Sequence, residues 1–371
     1  MKRSELSWWV RPRHWHRARS RLAMAAVVIA ALALALLPAL TPGALAPAAA
    51  QPVPSGPAVA GQPMLNTVSS MIGLGPQPVS VVVSPDGRRI YVGDDKTHAV
   101  RVIDAASGAW ITSIKIGHTP WQLVFSPDGR RLYASNSQAH SVSVINVATN
   151  KVVSTLAFKF KPGEIAVSPN GKTLYVAAYE KGVIKSVKIS TGAINGNVAV
   201  GLRPYRVVLS PDGGRLYIMD ALSGEISAVD TVTMKLKGSY GVYFADILSP
   251  SYISGSPDGR HLYVNDEFSG TFAFVKARSL VVTSTIDTGQ ISSQMAISPD
   301  GKYAYLPGSG YEGNKLVDRM VVVNLASRKV VNTVQLPGLA YVSAISPTGN
   351  HLYVISYVDA AKRVLAVVSP S

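Results

Sequence analysis

Seven copies of one short turn constrain this chain more than any other feature. The first is Ser84-Pro85-Asp86-Gly87, followed by Arg88-Arg89-Ile90-Tyr91-Val92. It recurs at Ser126, Ser168, Ser210, Ser256, Ser298 and Ser346, always with proline next, glycine three residues on and tyrosine seven residues on. The serines are spaced 42, 42, 42, 46, 42 and 48 residues apart. A repeat of that length corresponds to one four-stranded propeller blade. The second copy divides into Trp121–Phe125, a Ser126–Gly129 turn, Leu132–Ser135, Val142–Ile145 and Val152–Leu156. Val, Ile, Tyr and Thr dominate these runs, as half-buried strands require. Proline, aspartate and glycine each suit one position of the turn. The expected fold is all-β: a seven-bladed β-propeller of four-stranded blades.

The two chain ends predict ring closure. The seventh repeat reaches only a third strand, Val364–Val368. Asn66–Ile72 stands at the same offset before the first repeat as Asn150–Leu156 does before the third. The N-terminal strand is therefore expected to complete the last blade and leave no open inner edge. The propeller is assigned to residues 66–371 and read as a monomer.

Residues 1–50 read as an export signal or an uncleaved N-terminal anchor. They hold seven Lys/Arg and one Glu, and an uncharged run over 22–40 that could attach the chain to a membrane. Both readings place the rest of the chain outside the cytoplasm: secreted, periplasmic or on the cell surface. Residues 51–65, rich in Pro, Ala and Gly, read as a linker. The formal charge is +15, of which +9 remains after residue 50. That excess favours anionic partners. The chain has no cysteine, which excludes disulfides, thiolate metal sites and covalent c-type haem. No cofactor or metal is expected. Phosphate-loop, zinc-protease and nucleophile-elbow motifs are all missing.

Ile90-Tyr91-Val92, Leu174-Tyr175-Val176, Leu262-Tyr263-Val264 and Val102-Ile103-Asp104 resemble the YVTN family of β-propeller repeats. Leu132-Tyr133-Ala134 and Ala304-Tyr305-Leu306 depart from the family pair. The resemblance covers residues 66–371. It implies an extracytoplasmic seven-bladed propeller, in a family whose members include surface-layer proteins and a periplasmic protein that binds single-stranded DNA. Related propellers include lactonases and subunits of redox enzymes.

All length variation falls in the turns between second and third strands and in the links between blades. These share one end of a propeller, which is expected to be the working face. His118, Trp121, Lys159, Lys161, Arg203, Tyr205, Arg206, Tyr243, Tyr252, Phe268, Tyr311 and Tyr341 fall there, and the end reads as basic and aromatic. Stacking side chains beside cations suit a single-stranded nucleic acid or an anionic aromatic ligand. Four residues before each serine stand Ser80, Gln122, Glu164, Arg206, Tyr252, Gln294 and Val342, a ring near the channel mouth. One reading makes it a ligand pocket with Arg206 as anion anchor. The other makes it a polar lining in which Glu164 and Arg206 pair. The repeated tyrosines are expected to pack between blades.

The candidate ligand-binding set is Gln122, Trp121, Lys161, Glu164, Arg203, Tyr205, Arg206, Tyr252, Gln294 and Tyr341. The leading reading is an extracytoplasmic propeller that binds an anionic ligand or an envelope macromolecule, single-stranded nucleic acid included. The alternatives are a lactonase-like hydrolase or lyase using Glu164, Arg206 and His118, and an accessory subunit of a redox enzyme.

Overall fold

The computed structural model describes residues 63–241, 250–266, 269–292 and 294–371. The expected export signal, residues 22–40, most of the linker, Tyr243 and Phe268 lie outside these. The regular elements of the described chain are all strands but one, the 3-10 turn Tyr179–Lys181. Seven antiparallel sheets follow one another, six built from consecutive strands and the last from the final three strands with the first strand of the chain. Blade 2 is typical: Gln122–Phe125, Arg131–Asn136, Ser141–Asn146 and Lys151–Ala157, from the centre outward. First strands touch first strands all the way round, with blade 7 meeting blade 1.

Blade 7 closes the ring as its sequence offset predicts. Thr67–Gly73 pairs antiparallel with Arg363–Ser369, from Thr67↔Ser369 to Gly73↔Val364. Packing begins one residue before the expected boundary. Leu65 is fully buried between blades 6 and 7, and its amide donates to the Tyr305 hydroxyl at 3.2 Å.

The apolar core is divided among the seven seams between blades. Val82, Tyr91 and Val102 of blade 1, for example, pack on Leu123, Phe125 and Ile145 of blade 2. The repeated tyrosines sit in these seams as expected; Tyr91 meets Phe125 of the next blade edge-on at 5.3 Å. Alternating side chains of inner strands thus fill seams on both faces, whereas the outermost strands carry mostly exposed residues.

The repeated turn is tied by its own side chains. Ser84 Oγ donates to Asp86 Oδ1 at 2.6 Å and accepts the Arg89 amide at 2.9 Å. Asn170 takes the aspartate's part in blade 3. Each turn also leans on its predecessor. A Cβ on Gly129 (φ +68°) would lie 3.4 Å from Pro85, and one on Gly213 (φ +71°) 2.5 Å from Pro169. The left-handed backbone and the neighbouring proline both call for glycine.

One expectation changes. The six extra residues around Gly308–Asp318 are not a loop but a continuation of the sheet. Tyr303–Glu312 and Lys315–Asn324 stay in register to a two-residue turn at 313–314. Blade 6's inner strand is split into Gln290–Ile291 and Ala296–Ile297. The first piece pairs with Ser309 and Gly310 of this extension. Gly308 lets the Ile291 carbonyl approach, since a Cβ there would collide with it.

Candidate functional site

The ring of equivalent residues forms, and every member is buried: Ser80, Gln122, Glu164, Arg206, Tyr252, Gln294 and Val342 are 0–3 % exposed. Bulges in the inner strands of blades 1, 3, 4, 5 and 7 fall at or beside this position, for example between Pro204 and Arg206. A bulge re-aims a side chain and frees backbone groups from the ladder. The ring uses both effects to tie blade to blade. Gln122 Oε1 accepts the Ile165 amide of blade 3. Glu164 Oε2 accepts the Val207 amide of blade 4 at 2.9 Å. Gln294 takes the Ser343 amide at 3.4 Å and donates to the Ser343 carbonyl at 3.1 Å and to the Tyr252 hydroxyl at 3.3 Å. Ser80 Oγ donates to the Pro120 carbonyl at 3.1 Å.

Arg206 breaks this pattern. Its Nη1 turns back to Glu164 Oε1 in a buried ion pair. Its guanidinium lies 4.7 Å from the Tyr205 ring and 4.6 Å from the Tyr252 ring. Nε and Nη2 are buried and have no hydrogen-bond partner among the described residues. Burial works against the Arg206 charge, but contact with Glu164 and the two tyrosines holds its pKa above the ordinary arginine value. Burial pushes the Glu164 carboxyl up, opposed by the Arg206 charge and the Val207 amide. Both Glu164 oxygens are engaged, Oε1 by Arg206 and Oε2 by the Val207 amide.

With this geometry, the chain can be placed among known proteins. The family model for the lactonase seven-bladed β-propeller matches residues 74–240 and, in a second overlapping match, 109–327. The chain belongs to that lactonase family. Comparison with curated protein sequences found no match. Among solved structures, hydrazine synthase of Kuenenia stuttgartiensis is similar at TM-score 0.66 and 19% identity, over 83% of this chain and 97% of that one. The Cps50 (Swd1) β-propeller domain of Myceliophteria thermophila is similar at TM-score 0.67 and 15% identity, over 82% and 99%. At such identities the likeness is one of fold.

The other candidates in this lactonase-family propeller are dispersed. Tyr341 belongs to the closure of the ring. Its hydroxyl donates to the Pro78 carbonyl of blade 1 and lies 2.8 Å from the Tyr357 hydroxyl. Burial, with Tyr357 alongside, pushes its phenol well above the ordinary value. Lys161 is exposed and pairs with Glu180 at 2.7 Å. Arg203 is exposed and lies 5.6 Å over the Tyr179 ring, a residue that sequence reading missed. Trp121 is half-buried and His118 exposed. Among the described residues, no three His, Asp or Glu side chains converge as metal ligands.

Also missed was a second ring, ten residues after the serines, which includes Asp94, Asn136, Asp220 and Asp266. Asp220, 1 % exposed, accepts the amides of Arg203, Leu222 and Ser223 at 2.6–2.9 Å. Burial would push its carboxyl up, but these backbone donors hold it below the usual range. It ties the link before blade 4 to the blade's own turn. The regular offset from the serine could have found it.

The variable end is not basic. Its turns and inter-blade links, counted with the strand residue at each edge, hold nine Lys/Arg and nine Asp/Glu among the described residues. The expectation fails because acids such as Asp95, Glu180 and Glu225 balance the cations.

Proposed function

We propose that this lactonase-family propeller is a binding protein for a small anionic ligand, a carboxylate or phosphate, with Arg206 as its anchor. The supporting observation is Arg206 itself: a guanidinium 2 % exposed, 4.7 and 4.6 Å from two tyrosine rings, with no partner for Nε and Nη2 among the described residues. Two adjacent arginine donors match two oxygens of one carboxylate or phosphate. Leaving them unpaired in a buried site is costly, and an anion removes that cost. Burial of Arg206 on the axial strand favours a small ligand over a polymer on the neutral variable end. The same reading carries export through residues 1–50, so the ligand would be met outside the cytoplasm.

Lactone hydrolysis is the second reading, favoured by the family match. Glu164 would be its base; it is 3 % exposed and paired with Arg206, so a substrate would have to reach a buried ion pair.

The test is thermal melting of the full chain with a sugar acid, a dicarboxylate and a phosphosugar, alongside acid release from a sugar δ-lactone. At least one anion should raise the melting temperature. Arg206→Lys should weaken that ligand roughly tenfold or more, because the fork is lost while the charge stays. The paired variant E164Q/R206M, which leaves no lone buried charge, should abolish the shift. No shift with any anion, or an equal shift in the paired variant, contradicts the proposal. Lactone turnover lost in Glu164→Gln would favour the second reading.

A further inference from the structure

The basic excess lies at the opposite end of the molecule from the variable loops. Antiparallel strands place the first-to-second and third-to-fourth turns together at that end. Counted with the strand residue at each edge, these turns hold fifteen Lys/Arg and seven Asp, all described. The other end, counted the same way, is balanced. Five cations occupy one equivalent position, four residues after the repeat serine: Arg88, Arg130, Lys172, Arg260 and Lys302, all exposed. The nearby acids are engaged by the turn itself, and two also pair with rim cations, Asp258 with Arg260 at 3.9 Å and Asp300 with Lys302 at 3.5 Å. Asp86 Oδ1 accepts from Ser84 Oγ and the Arg88 amide, and Asp128 and Asp212 repeat this. Turn glycines seated on the preceding prolines hold the five cations in one rim. The third-to-fourth turn of blade 4 adds an apolar side chain at its tip, Val232, which is 89 % exposed.

We infer that this rim of uniform turns docks the propeller onto an anionic lipid bilayer. A ring of cations at one height meets a planar array of negative headgroups with every member at once, and each cation near such a surface adds to binding. An exposed apolar tip can enter the headgroup layer. A nucleic acid fits the same charges less well. Single strands need a series of exposed aromatic platforms; the repeated tyrosines of this end are 0–5 % exposed, and Trp110, 48 % exposed, is one ring with the Arg101 guanidinium already 4.3 Å over it. The inference stands apart from the Arg206 proposal, which concerns the other end of the inner strands.

The experiment is co-sedimentation of the full chain with phosphatidylcholine vesicles, with and without phosphatidylglycerol, across a salt series. The pure phosphatidylcholine arm reads the apolar run 22–40, and all arms are run in a background with Lys2, Arg3, Arg11, Arg13, Arg17, Arg19 and Arg21 replaced by Gln, which removes their own pull on anionic headgroups. Anionic vesicles should take up more protein, and the excess should vanish at high salt. Each of Arg88→Glu, Arg130→Glu and Arg260→Glu should reduce the excess by roughly fivefold or more. The three together should abolish it with the melting temperature unchanged. A matched control, Lys115→Glu with Lys159→Glu at the variable end, should retain it. Equal uptake by both vesicle types overturns the inference, as does an excess surviving the triple variant or lost in the control. Binding of single-stranded DNA through the same arginines without vesicle binding would assign the rim to nucleic acid instead.

Discussion

Tyr305 shows what a repeated residue does when its seam differs from the others. Its ring fills the seam between blades 6 and 7, and its hydroxyl accepts the Leu65 amide. Burial pushes its phenol up to about 12, and that of Tyr263 likewise. The other five repeated tyrosines shift in the same direction through burial. A phenol raised above its unfolded value favours the neutral form in the fold. Its stabilisation is complete below about pH 10 and is lost as pH rises toward 12. Stability from urea melts should therefore stay level up to about pH 10 and then fall, the fall being shallower in Tyr263→Phe. Phenolate absorbance at an ordinary midpoint in the folded protein would contradict this. That these tyrosines pack between blades was legible from their place between apolar neighbours. The stacking of Tyr205 and Tyr252 on Arg206 was not, because it depends on where two blades put non-equivalent side chains.

At the scale of elements, the strand Thr67–Gly73 carries the most weight for its length. It supplies the fourth strand of blade 7, and Ile72 packs in the seam between blades 7 and 1. Deleting residues 66–73 should cost more than about 3 kcal/mol, from lost ladder bonds and apolar burial. An unchanged melting temperature would contradict the closure. This strand was legible because matching offsets in a repeat mean matching positions in a blade. The extended hairpin of blade 6 was not. Pro307 and several glycines interrupt its alternation, and only pairing with the split inner strand shows why they are there. The ties of Gln122, Glu164 and Gln294 to the next blade were equally hidden. Sequence symmetry places such residues on a ring, but bulges decide whether they face the axis or the neighbouring backbone.

For the whole molecule, the seven seams and the ring of ties make a rigid frame with two unlike ends. One is uniform and basic; the other is variable, balanced in charge among the described residues and lies near the buried Arg206. The charge asymmetry is legible in the sequence once each charge is assigned to an end, because acids such as Asp95, Glu180 and Glu225 offset the cations of the variable loops. The pairing of Glu164 with Arg206 was anticipated; the two unbonded donors were not, since they depend on rotamer and burial. The central claim is that these donors hold an anion. The most direct measurement is a crystal structure of the chain grown in bromide, with anomalous diffraction recorded at the bromine edge. The account predicts an anomalous peak within hydrogen-bonding reach of Arg206 Nε and Nη2, absent from the E164Q/R206M variant. Ordered water alone on those two nitrogens, with bromide bound only elsewhere, would contradict it.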